Sequence, residues 1–449
     1  MSITKKFSKI ISKSCSGFSG EVIIVELVHN FIEQELQLAQ GCTEPAAVAY
    51  AVAAAAEKSR GDLQQIIIEL DGYVYKNGMK AGIPGIDSYQ GNVIAAALGY
   101  YAEDPQEKGL EILSGITENK LAQAEGILDK ISFTIVEEKS PYIRATLKAD
   151  NEVTALIKEN HGKLTGIEVD GVRVYQLAAS QDEDKPEFSQ LDKYLYEASL
   201  LDILNKIEKE FDSQALEFLK QGLERNLALV EAGRQGRASG IGSKFEKYAE
   251  TEIEKIAGMI AQGIDSRMSG VALPALASSG SGNKGITISI SLYQTGRYLG
   301  KEENDIFRAT LLSHVVTHKL NLYLGKLSSL CGLFSATAGG MLAGFLYLEG
   351  LAERMEEMIN YLLGDSSGSH CDGAKTTCIL KAVSSFELAY RYFRLARIGL
   401  TIDRPVGIIA EDLGATLKNL AELSLPSEGT INQTLIEVIS RTQSAREKI

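Results

Sequence analysis

The eleven residues GSHCDGAKTTC, Gly368 to Cys378, bring two thiols, an acid, an amine and an imidazole together in a 449-residue chain with five cysteines. Such a set could hold a metal, close a disulfide or simply pack. Two further cysteines lie in similarly small-residue text, Cys42 in GCTEP and Cys331 in SLCGLFSATAGG. A cysteine used for packing alone more often sits among bulky apolar side chains. Taken singly, each could still be a small buried residue, but four together point to a shared role. Zinc prefers close pairs such as C-x-x-C with histidines nearby, and that spacing is missing. His314 and His318, four apart in SHVVTHK, are far from every cysteine motif in sequence. An iron–sulfur cluster takes thiolates from separate elements. Held by three cysteines, it keeps one iron open as a Lewis acid for a substrate's leaving group. Cys15, in SKSCSG, is given no role.

The second chemical stretch is SSGSGNKGITISIS, residues 278–291. Glycines allow close backbone approach, and successive N–H groups make an anion nest. Ser279, Gly280, Ser281, Gly282 and Asn283 therefore form a candidate grip for a substrate carboxylate, against the alternative of a plain tight turn. Similar Ser-Gly-Asn loops occur in pyridoxal-phosphate enzymes, which keeps that cofactor as the second choice, with Lys284 or Lys375 as its Schiff-base lysine. In YKNGMKAGIPG (75–85), Lys76, Asn77 and Lys80 stand on a Gly/Pro loop and could bind a polar group or face solvent. Asp265 and Arg267, in GIDSRMSG, could be a surface pair or could order a site loop.

Helices and strands must carry these residues. Apolar spacing predicts a helix from Glu21 to Leu38. Thr43 as cap and Pro45 in the first turn predict an Ala-rich helix to about Glu57. Cys42 would then stand just before a helix N-terminus, which favours a thiolate. IIIEL, from Ile66, reads as a strand, and VIAAALGYYA as a helix of small residues. Between about 130 and 176, ISFTIVEE, YIRATLKAD, EVTALIKEN and TGIEVDGVRVYQL alternate with period two, and Asp170-Gly171 is a hairpin turn. SQDEDKPE (180–187) reads as a linker. The remainder is helical, broken near GRQGRASGIGS and at the glycine loop. The expected fold class is α+β, a mostly helical core with an inserted β-rich subdomain. Its expected parts are an N-terminal helical part (1–64), an α/β segment (65–182) and a C-terminal helical domain (183–449) with the glycine loop and most of the cysteine ligands.

The net charge of −13 argues against nucleic acid or an anionic membrane as partner, since both attract basic surfaces. No secretory signal is visible, so a cytoplasmic location is expected, where thiols stay reduced. Residues 327–348 carry no charge and include Gly340-x-x-x-Gly344, long enough to span a bilayer. About half of them are small or weakly polar, so close helix packing in a soluble core is the better reading. A small amino acid is the expected partner, and a homo-oligomer is compatible with the sequence.

In order, GCTEPAAVA, YKNGMKAGIPG, IDSRMSG, SSGSGNKGI, CGLFSATAGG and CDGAKTTCILK resemble the L-cysteine desulfidase family, which is related to the α-chain of iron–sulfur L-serine dehydratases. The matching blocks run from Gly41 to Lys381. The resemblance implies a serine-dehydratase-α-like core, an oxygen-sensitive 4Fe–4S cluster and β-elimination of L-cysteine to hydrogen sulfide, pyruvate and ammonia, with the substrate sulfur on the open iron. The related L-serine reaction is the alternative. By motif, Cys42, Cys331 and Cys371 are the implied cluster ligands, and Cys378 competes for one place. For the base that takes the α-proton, Lys375, Asp372 and Lys284 are candidates, with Lys375 in front. Its alternative role is a salt bridge fixing the Cys371 loop. The chain departs from the family in having Lys284 where Gln is commoner, which weakens Lys284 as an essential base. It also has Ser369-His370 where apolar residues are usual.

Overall fold

The computed structural model describes residues 26–39, 41–158, 161–177, 189–424, 431 and 433–438. Cys15 and the 180–187 linker lie outside them. The fold is α+β, as expected.

The chain begins with α1 (Leu27–Glu35) and β1 (Leu36–Ala39). The helix expected to reach Leu38 stops at Glu35, because Leu36–Ala39 pair antiparallel with β10 (Ala275–Ser278), Leu36 opposite Ser278. A distant strand here overrides local helical spacing. Next comes α2 (Thr43–Ala56), with Cys42 itself at the N-cap. Its alanines from Ala46 to Ala55 are buried all round. On one side it meets α4 (Asn92–Tyr100), and on the other β6 (Tyr142–Lys148) and β7 (Glu152–Lys158). Small residues make this sandwich close: a Cβ on Gly99 would come within 2.4 Å of the Ala49 carbonyl.

The sheet is wider than residues 130–176. Its order is β5-β2-β6-β7-β8-β9, so β2 (Gln65–Asp71) lies inside it, parallel to β5 (Ile131–Val136) and antiparallel to β6. β8 (Leu164–Val169) and β9 (Val172–Gln176) close the far edge. Asp170 and Gly171, at φ 50° and 75°, make the expected two-residue turn between them. Ile66, Ile68, Leu70, Ile143, Ala145, Leu147, Val153, Ala155 and Ile157 form the buried face of alternating strands, in one core with α2.

Asp71 ends β2 and starts α3 (Gly72–Gly78). Its Oδ1 accepts from the N–H groups of Tyr73 and Val74, and its Oδ2 accepts from Tyr142 N–H at 2.8 Å. This cap turns the start of the expected loop into a helical turn carrying Lys76 and Asn77. The rest forms a small hairpin, β3 (Gly82–Ile83) with β4 (Ile86–Gln90). Two short helices follow, α5 (Pro105–Lys108) and α6 (Glu118–Glu125).

A second core joins α1, Cys42, Cys331 and the helices after residue 189. These are α7 (Gln190–Glu197), α8 (Leu200–Glu210), α9 (Ser213–Arg234), α10 (Ile241–Tyr248), α11 (Glu252–Met268), α12 (Gly282–Tyr298), α13 (Glu303–Leu324), α14 (Ser335–Leu348), α15 (Met355–Ser366), α16 (Cys378–Arg397) and α17 (Leu413–Ser424). Of the uncharged segment, Ser335–Leu348 form a 14-residue helix, α14, buried in this core. Cβ atoms on Gly340 and Gly344 would meet Thr317 Oγ1 and Ser313 Oγ of α13 at 2.1 and 2.3 Å. The glycine pair therefore serves helix contact inside the protein. Among the described residues, no helix is long and apolar enough to cross a membrane.

Candidate functional site

The cysteine-bearing loops are stitched by backbone pairing. Leu330 and His370 form an antiparallel bridge, Cys331 N–H donates to Ser369 O, and Cys371 N–H donates to Ser329 O, both at 2.8 Å. Two segments forty residues apart thus present their thiols to each other. The Cys331 thiol hydrogen-bonds Cys371, and with Lys76 nearby this outweighs burial and brings Cys371 down to about 5. The same bond, with burial, pushes Cys331 upward. Cys378, at the start of α16, is pushed up to about 12 by burial, with Cys371 and Cys42 close enough to add to it. All four described cysteines are free thiols in one neighbourhood.

Cys42 differs from its sequence expectation. It caps α2, yet burial raises its pKa, against the pull of the neighbouring Arg267. Desolvation of a thiolate here exceeds the help from a helix N-terminus.

Lys76 and Asn77 reach the site from α3. Lys76 is 2% exposed, and burial lowers its pKa against the opposing pull of Cys371, Asp372 and Cys331. Asn77 Oδ1 lies 3.9 Å from Cys371 Sγ, and its Nδ2 donates to Glu44 Oε1 at 3.2 Å. Gly373, at φ +98°, lets the Cys371 loop lie on α3, since a Cβ there would fall 2.4 Å from Lys76 O. Lys80 is exposed and stands apart.

The lysine first favoured as base is committed elsewhere. Lys375 Nζ pairs with Asp372 Oδ2 at 2.5 Å and donates to Asp372 O at 2.8 Å. Lys381 Nζ holds Asp372 Oδ1 at 3.1 Å and donates to His370 O. Burial would raise the Asp372 pKa, but these two lysines bring it below its usual value. Asp372 is therefore an ionised clamp on its own loop.

The glycine loop is a tight turn joining β10 to α12. Ser278 and Ser281 exchange backbone hydrogen bonds around Ser279 and Gly280, at φ 47° and 75°. A serine held left-handed costs about 1 kcal/mol, and its hydroxyl is correspondingly well held. Asn321 Nδ2 donates to Ser279 Oγ at 3.1 Å, and His318 Nδ1 lies 3.2 Å from it. Gly282, Asn283 and Lys284 open α12, so their N–H groups precede the first intrahelical bond, made by Gly285 N–H to Ser281 O. Lys284 is 4% exposed, and burial lowers its pKa to about 8.

Arg267 ties the loop to the cysteines. Its Nη1 donates to Asn283 Oδ1 at 2.9 Å and its Nη2 to Gly41 O at 2.6 Å, beside Cys42. Asp265 takes no part in this. It accepts from Gly242 N–H and Ser239 Oγ instead.

Sequence reasoning missed the support behind Ser279. His318 is fully buried between Asp192 Oδ1, 2.8 Å from Nε2, and Glu35 Oε2, 3.1 Å from Nδ1. Among the described residues this is the one group of three or more histidine, cysteine and acidic side chains with donor atoms all within 4.8 Å, and it consists of two carboxylates and one imidazole. Burial works against a charged His318, but the two carboxylates raise its pKa overall. With both ring nitrogens engaged, the group fits an imidazolium clasp better than a metal site. The separate segments carry no local motif that could have revealed it.

The cysteines fit a cluster in another way. A cubane is wider than a single ion, so its thiolates stand further apart than donors on one metal. Four thiols from three separated segments, with the cations of Lys76, Lys284, Lys381 and Arg267 nearby to balance thiolate charge, suit such a guest.

The family model described as serine dehydratase alpha chain matches residues 107–435. That stretch holds the glycine loop, Cys331, Cys371 and Cys378, and begins after Cys42, Lys76 and Asn77. Similar proteins extend further. A UPF0597 protein of Clostridium perfringens is 34% identical over 426 residues, covering 92% of this chain and 98% of its own length. UPF0597 proteins of Desulfotalea psychrophila and Geobacter sulfurreducens are each 30% identical, over 427 and 440 residues, covering 92% and 94% of this chain and 98% and 99% of their own.

Proposed function

The chain belongs to the serine dehydratase alpha chain family, and from that premise we propose that it is an iron–sulfur-dependent lyase that β-eliminates L-cysteine to hydrogen sulfide, pyruvate and ammonia. The observation that carries the reading is the meeting of Cys331, Cys371, Cys378 and Cys42 beside the Ser279–Asn283 turn, with Arg267 bridging Gly41 and Asn283. Cys42, Cys331 and Cys371 would hold a 4Fe–4S cluster, with Cys378 competing for one of the three places. When bound, such a cluster with one open iron supplies Lewis-acid help to a departing thiolate.

The chain's residues supply the rest. The N–H groups of Gly282 and Asn283, with Ser279 and Ser281, receive the substrate carboxylate at the start of α12. Lys76 is the base in this account. It is buried and stands beside Cys371. As an amine it takes the α-proton while the β-substituent leaves with the bonding pair. The aminoacrylate released then adds water and loses ammonia to give pyruvate, so one cysteine and one water yield one sulfide, one pyruvate and one ammonia. Asn77, anchored by Glu44, keeps Lys76 and the Cys371 loop in register.

L-Serine has the same α-carbon and carboxylate, so the test is a paired one. Anaerobic enzyme given L-cysteine should release sulfide and pyruvate in equal amounts, faster than it forms pyruvate from L-serine. Pyruvate from serine alone would move the assignment to L-serine dehydratase. A yellow, borohydride-sensitive imine without iron would replace both readings with pyridoxal-phosphate chemistry.

A further inference from the structure

Asn321 lies in the last turn of α13 and is 1% exposed. Its amide is fixed at one end, where Nδ2 donates to Ser279 Oγ at 3.1 Å. At the other end, Oδ1 is buried and has no hydrogen-bond donor among the described residues. A buried amide oxygen without a donor is unfavourable and uncommon. The direction of this oxygen is known from Gly332, the residue after Cys331. A Cβ on Gly332 would lie 3.0 Å from Asn321 Oδ1 and 3.3 Å from Lys284 Nζ. A neutral acceptor and a cationic donor therefore converge on one small region against the backbone of Gly332, beside a proposed cluster ligand. Glycine at 332 keeps a side chain out of it.

That combination is complementary to a zwitterion. An ammonium needs an acceptor and a carboxylate needs a donor, and an α-amino acid carries the two on one carbon. We propose that Asn321 and Lys284 grip the substrate as an α-amino acid, Asn321 Oδ1 receiving the α-ammonium and Lys284 Nζ sharing the carboxylate with the start of α12. The assignment rests on the β-elimination reading and adds the group that demands an amino acid over a simple thiol acid. It also gives Lys284 a binding role, which a neutral donor of similar length could partly fill.

The test compares L-cysteine with 3-mercaptopropionate, which keeps the thiol and carboxylate but lacks the amino group. KM for L-cysteine and the inhibition constant of 3-mercaptopropionate are measured in wild type, Asn321→Ala and Asn321→Asp. In Asn321→Ala, KM should rise between about tenfold and 100-fold, the worth of a hydrogen bond to a charged group, while the inhibition constant stays within about threefold of wild type. Equal weakening of both ligands would mean that Asn321 acts by holding Ser279, and would overturn the assignment. So would no change in either. Should Asn321→Ala fail to fold, Asn321→Asp decides. A carboxylate there attracts the ammonium and repels the substrate's carboxylate, so preference for L-cysteine over 3-mercaptopropionate should widen; an unchanged preference overturns the proposal. Wild-type enzyme that turns over neither L-cysteine nor L-serine would remove the parent reading, and this assignment with it, before any variant is compared.

Discussion

Lys76 and Lys284 are both buried amines beside thiols, and they are assigned different work. Lys76 faces Cys371 from α3, while Lys284 faces Gly332 from α12. If Lys76 moves the proton, Lys76→Gln should lower kcat by about 100-fold or more with KM and iron content little changed. A variant that keeps wild-type kcat would end its role as base. Burial makes both lysines easier to deprotonate than in water, and that burial is not written in YKNGMK or GSGNKG. Each stretch looks like a solvated Gly-rich loop until Asp71 caps α3 and β10 seats α12. Asp372 and Lys375 show the opposite case. Three residues apart, they read as chemistry by proximity to Cys371, but they satisfy each other.

At the scale of elements, the site hangs on joints between distant segments. β1 pairs with β10, the Cys331 loop pairs with the Cys371 loop, and Glu35, Asp192 and His318 meet behind the Ser279 turn. The last joint carries a pH signature. The His318 pKa is raised in the fold. Its contribution is therefore complete below the unfolded value of about 6.5 and is lost as pH rises through the higher folded value. Glu35 and Asp192 are lowered, so their share is lost only at acid pH, through their folded values. His318→Gln should cost about 3 kcal/mol of stability at pH 6, where Asp192 loses its cationic partner and Glu35 keeps only Lys326. The difference in melting temperature between wild type and variant should shrink steadily toward pH 9. A pH-independent difference would show that His318 is neutral and merely packed. Periodicity reveals none of these joints, because each pairs residues far apart in sequence. It did reveal the strands, the Asp170-Gly171 turn and the Ala-rich helix, whose signals are local.

At the scale of the whole molecule, the described residues form two hydrophobic cores, one of α2 with the sheet and one of the long helices. The proposed ligands and base come from both sides of their junction. Lys76 comes from α3, next to Val74 of the first core, whereas Cys42 and Cys331 are buried in the second and Cys371 and Cys378 pack against it. The sequence showed which cysteines had unusual surroundings, since small residues beside a thiol are visible in text. It could not show that β2 lies inside the sheet or that Asn321 points at Gly332. The central claim is that these thiols hold an iron–sulfur cluster, and the most direct test is composition. Wild type and Cys371→Ala should be purified without oxygen, reconstituted, and assayed for iron, acid-labile sulfide and visible absorbance. The account predicts about four irons and four sulfides per wild-type chain, and loss of both, with the absorbance, in Cys371→Ala. Wild-type protein that takes up no iron, or a Cys371→Ala variant with the full complement, would contradict it.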